Sequence, residues 1–69
     1  AATQVASNIS QKKTPSEGLT NLENGGKYTV SPGSGTTITD YCVTVTEVSN
    51  SKWAKSGPGC TGALTGGGE

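Results

Sequence analysis

The chain has 69 residues, five basic and five acidic side chains, and no histidine. This excludes imidazole triads and His metal sites, and it leaves no basic footprint for nucleic acid or an acidic membrane. Hydrophobic residues make up 29% and aromatics 4%, and a chain of this size buries only about 60% of the surface its unfolded form exposes. The composition therefore predicts one small domain with a thin core that needs a staple. No stretch reads as a membrane span or a signal peptide.

Residues 1–13 read AATQVASNISQKK. Ala2, Val5, Ala6 and Ile9 recur at i, i+3, i+4 and i+7, which predicts a helix over 1–13 with one narrow apolar stripe. Lys12 and Lys13 suit the negative end of its dipole, and Thr14-Pro15 is expected to stop it. The first residues carry no clear cap, so the helix is expected to begin upstream of Ala1. Gln4, Asn8 and Gln11 are expected on its polar side, free to face neighbouring subunits. Asn8-Ile9-Ser10 matches a glycosylation sequon, but a helical position argues against an acceptor role.

Residues 14–26 form a connecting loop, in which Leu19 and Leu22 make one helical turn that anchors it to the core. Asn24-Gly25-Gly26 is a strong turn signal, since both residue types tolerate positive φ. From residue 27 the period changes to that of a strand. Lys27–Val30 is a short strand, Ser31–Gly35 a reversing loop, and Thr36–Val48 the longest β-like run. In that run Tyr41, Val43 and Val45 share the expected core face, opposite Ile38, Cys42, Thr44 and Thr46. Ser49–Ser51 is the turn and Lys52–Lys55 the return strand, so the sheet region covers 27–60. Residues 63–69 have little to bury and read as a flexible tail or a cloning remnant.

Cys42 and Cys60 carry the strongest constraint. A turn at 49–51 sets Val48 opposite Lys52 and Cys42 opposite Pro58, and the Gly57-Pro58-Gly59 bend can then bring Cys60 within the ~5.5–6 Å Cα separation of a disulfide. Closing this loop is expected to contribute about 3 kcal/mol. A redox pair would show C-x-x-C spacing, and zinc would need further ligands, so a structural disulfide in an oxidising compartment is the expectation. Asp40 and Glu47 differ by an odd number of positions, which sets them on opposite faces and about 23 Å apart along a strand. That is too far for a glycosidase pair. Trp53 is expected to pack across the hairpin and is also the candidate surface contact. No catalytic set, cofactor or metal is expected.

The order of parts resembles the soluble headgroup of a type IV pilin or related pseudopilin. The stretch Asp40-Tyr41-Cys42-Val43-Thr44-Val45-Thr46, followed by Pro58-Gly59-Cys60-Thr61-Gly62, is similar to small bacterial pilins. The resemblance spans residues 1–62 in architecture and 40–62 in motif. It implies an α+β domain in which an N-terminal helix packs on a small antiparallel sheet, with one disulfide. It also implies a prepilin that is trimmed and N-methylated, then polymerised through a hydrophobic helix upstream of residue 1. Residues 1–69 alone would then be monomeric, extracellular, and tied to a membrane only through that upstream helix. Two alternatives come from other classes. One is a small secreted binding module, for example for carbohydrate, using Trp53 and a tyrosine. The other is an inhibitor- or toxin-like domain presenting 49–59 as a loop.

Overall fold

A computed structural model describes residues 2–33 and 35–68; Ala1, where the helix was expected to be already under way, Ser34 of the reversing loop and Glu69 of the tail lie outside them. The helix α1 runs Ala2–Ser10. It ends three residues before the expected stop, because the chain closes its own C-terminus ahead of Pro15. Lys12 takes a left-handed φ of 59°. Its N–H donates to the Ile9 carbonyl at 3.0 Å, and the Lys13 N–H to the Asn8 carbonyl at 2.8 Å. These crossed bonds satisfy the terminal carbonyls of the helix, a job usually given to glycine at the left-handed position.

Two 3₁₀ turns follow, Leu19–Leu22 and Asn24–Gly26. The first delivers Leu19 to the interior at 4% exposure and leaves Leu22 outside at 41%, so only one of the two leucines anchors the loop. In the second, Asn24, Gly25 and Gly26 all have positive φ (49°, 67° and 93°). That run of left-handed residues reverses the chain into the sheet.

The sheet is an antiparallel meander of four strands in the order β1 (Tyr28–Ser31), β2 (Val43–Glu47), β3 (Trp53–Ser56) and β4 (Thr65–Gly66). The strand expected from Thr36 starts only at Val43. Upstream of it Asp40 folds the chain back: its carboxylate accepts the Thr37 N–H at 2.7 Å, and the Asp40 and Tyr41 N–H groups both donate to the Thr37 carbonyl at 3.2 Å. Local side-chain bonding of this kind outcompetes β propensity. At the other end the expected tail contributes β4, so the sheet continues past residue 60.

The β2–β3 register also differs by one residue from the expected one. Thr46 pairs with Trp53 and Val45 with Ala54, the Glu47 N–H donates to the Lys52 carbonyl at 2.7 Å, and the Ser51 N–H donates to the Glu47 carbonyl at 2.8 Å. The turn is thus Val48–Ser51, with Ser51 left-handed at φ 59°. A slip of one residue exchanges faces. Direct pairs share a face, so Val30, Val43, Val45 and Ala54 lie on one side of the sheet, and Thr29, Thr44, Thr46, Trp53 and Lys55 on the other.

Val5 (0% exposed), Leu19 and Val43 (1%) form the buried cluster, with Ala2, Ile9, Val30 and Tyr41 packed against it. Val5 of α1 and Val43 of β2 thus belong to one small buried cluster. No helix among the described residues is long and apolar enough to cross a membrane.

Candidate functional site

Cys42 and Cys60 form a disulfide with Cα atoms 5.0 Å apart. It ties the residue before β2 to the loop that leaves β3. The main chain beside it is drawn in closely: the Gly59 N–H donates to the Tyr41 carbonyl at 3.0 Å, and any Cβ at Gly59 would collide with the Asp40 carbonyl. Glycine is required there for the bridge to close, which gives the Pro58-Gly59-Cys60 spacing a physical meaning. Asp40 on the rim of this end is fully exposed, and hydrogen bonds from the Thr37 hydroxyl and main-chain N–H hold its carboxyl below the usual carboxylate value.

Trp53 occupies the sheet face away from Val43. Its indole does not lie over the β2–β3 hairpin alone. It covers β4, where a Cβ at Gly66 would stand 2.5 Å from the six-membered ring and one at Gly67 2.7 Å from the indole Cδ1. Two consecutive glycines make a bare strip of backbone on which the ring rests, a pairing that shields the short strand. Lys55 sets its Nζ 5.1 Å from the ring centroid, a cation–π contact worth about 0.5–1 kcal/mol where exposed. The indole is half-buried.

The opposite face carries an open cleft of about 520 Å³, with Tyr28, Val45, Glu47, Lys52 and Ala54 in its lining. Trp53 also borders it, yet the register sets Tyr28 opposite Glu47 and Trp53 opposite Thr46. Strand alternation starts the two side chains on different faces, and both border this cleft. Glu47 accepts the Ser49 hydroxyl at 3.1 Å and sits at the far end of β2 from Asp40. Among the described residues, no three His, Cys, Asp or Glu side chains come together as a metal site.

Two residues important to the architecture carried no usable sequence signal. Asn8, expected on the polar outer side of the helix, is 2% exposed. Its amide donates to the carbonyls of Pro15 (3.0 Å) and Glu17 (2.8 Å) and accepts from Gln4 Nε2 (2.9 Å). It is a pin that holds the connecting loop against α1, with both amide hydrogens engaged. Glu23 guards the outer edge of β1: its carbonyl accepts the Tyr28 N–H at 3.1 Å and its carboxylate Oε2 the Val30 N–H at 3.3 Å. Covering outward donors of an edge strand prevents unwanted strand pairing.

No protein-family model matches the chain, and no curated protein or solved structure is detectably similar to it.

Proposed function

We propose that this chain is the headgroup of a type IV pilin-like or pseudopilin subunit, which acts by assembly and surface display rather than by catalysis. The observation that carries this reading is the shared core. Val5 of α1 is buried with Val43 of β2, and the β2–β3 hairpin beside them is closed by Cys42–Cys60. A helix laid along a small antiparallel sheet, followed by a cysteine-bracketed hairpin, is the layout of such headgroups. In this proposal α1 is the sheet-side part of a longer helix whose upstream hydrophobic half drives polymerisation. The filament is extracellular, as the disulfide suggests. The polar surface offered to neighbouring subunits is Gln4, Gln11 and Thr3, with Asn8 removed from that set because it is buried.

The test is genetic. The coding sequence upstream of residue 1 is expected to specify a hydrophobic helix preceded by a short basic leader, and deletion of the gene is expected to remove or alter surface filaments. An upstream sequence that instead encodes an ordinary signal peptide ending near Ala1 would overturn the proposal in favour of a free secreted module.

A further inference from the structure

We infer that Asn24-Gly25 is a self-modification site, at which the folded protein converts an amide to a carboxylate and thereby loosens the guarded edge of β1. The chemistry is intramolecular. The Gly25 main-chain nitrogen loses its proton and attacks Asn24 Cγ; the N–Cγ bond forms, the Cγ–Nδ2 bond breaks, and ammonia leaves a five-membered imide. Water then opens the ring. Attack at Cγ returns an ordinary aspartate, and attack at the main-chain carbonyl gives isoaspartate, in which the chain runs through the side chain. The sum is amide plus water to carboxylate plus ammonia, with no oxidant or cofactor.

The four asparagines of this chain differ in how the structure treats the attacking nitrogen. After Asn50 it belongs to Ser51, whose N–H donates to the Glu47 carbonyl at 2.8 Å, while the Asn50 side-chain oxygen is held by the Lys52 N–H at 3.0 Å. Asn8 is buried with its amide fully engaged, and its successor Ile9 lies inside α1. Asn21 is followed by Leu22 inside a 3₁₀ turn, whose branched side chain crowds the approach. Asn24 is exposed and its side chain makes no hydrogen bond among the described residues. The N–H groups of Gly26, Lys27 and Tyr28 are all bonded to the carbonyls of Glu23 or Asn24. The Gly25 N–H, the attacking group, donates to nothing among the described residues. Nothing lies within 4 Å of the place a Gly25 side chain would occupy, so the ring has room to form, and the two glycines that follow Asn24 leave the chain free to rotate into it.

The position gives the reaction a consequence. Glu23, the adjacent residue, holds both outward N–H groups of β1. Isoaspartate at position 24 inserts a methylene into the main chain inside the Glu23–Tyr28 turn, and either product sets a second carboxylate beside that of Glu23. Both changes pull the guard from Val30.

The experiment incubates the intact, oxidised 69-residue protein at mildly alkaline pH and follows it by ion exchange, peptide mapping and enzymatic isoaspartate labelling. The expected result is a species one charge more acidic, modified at Asn24 at least about tenfold faster than at Asn50, a barrier difference of roughly 1.4 kcal/mol. Asn24→Gln is expected to abolish that species. In the aged fraction, hydrogen exchange at the Tyr28 and Val30 amides is expected to quicken while β2 is unchanged. Modification at Asn24 no faster than at Asn50, or an acidic species that survives Asn24→Gln, overturns the site; unchanged exchange at Val30 overturns its coupling to the strand edge.

Discussion

Residues 2–26 and residues 28–66 are held by different kinds of bond. The first region has one short helix and two 3₁₀ turns, and its loop is fixed by a few side chains: Val5 and Leu19 in the core, Asn8 on two loop carbonyls, Glu23 on the edge of β1. The second is held by main-chain ladders, a disulfide, and glycines that let segments approach. Stability in the first region is concentrated in single residues, each costly to lose. In the second it is spread over the backbone, and only the staple is singular.

The sharpest break falls in the second region. Cys42→Ser is expected to lower stability by about 2–4 kcal/mol, because the bridge restricts the unfolded chain; chemical denaturation with and without reductant measures it, and an unchanged midpoint would show that the ladders alone suffice. Next comes Asn8→Ala in the first region. It strands the Pro15 and Glu17 carbonyls and is expected to cost about 1–3 kcal/mol, with the added signature of faster proteolysis within 14–18 while the sheet stays protected. Gly66→Ala probes the strip beneath Trp53. Its new methyl group must displace the indole, so a loss of about 1 kcal/mol is expected, at the low end for overpacking, together with a shift in tryptophan fluorescence.

The smallest effect is electrostatic. The folded Asp40 carboxyl titrates below its unfolded value of about 3.9, so its contribution is present above that pH and fades as pH falls through the lowered folded value. Asp40→Asn is expected to flatten this shallow decline in melting temperature on acidification and to lower the neutral-pH melting temperature slightly, towards the value the parent protein has in acid.

Much of the frame was legible in the chain. The i, i+3, i+4 stripe located α1 and picked out Val5; the cysteine spacing located the bridge; alternation located the Val43/Val45 face. What stayed hidden has specific causes. A polar residue on a helix is read as outward, and nothing in the sequence marks Asn8 as a donor to carbonyls seven and nine residues away. Lys12 ends the helix in a conformation that glycine would have advertised. Thr36–Cys42 has strand-like composition, but Asp40 diverts it through hydrogen bonds to Thr37. The hairpin slip follows from a four-residue turn where three residues were expected. Thr65–Gly66 looked like a tail because glycines bury nothing themselves; the clue was Trp53, a large ring needing a flat partner.

The bridge also decides how the domain would bear tension. A pull on the two ends of the chain passes from Cys42 to Cys60 through sulfur and bypasses β2, its turn and β3 altogether. The 18 steps between the cysteines are removed from the load path, some 60 Å of contour at about 3.3–3.6 Å per residue. Under force the domain yields α1, β1 and β4 and keeps its central hairpin as a closed ring, so it stretches by a limited amount and retains a folded template on which the rest can reassemble.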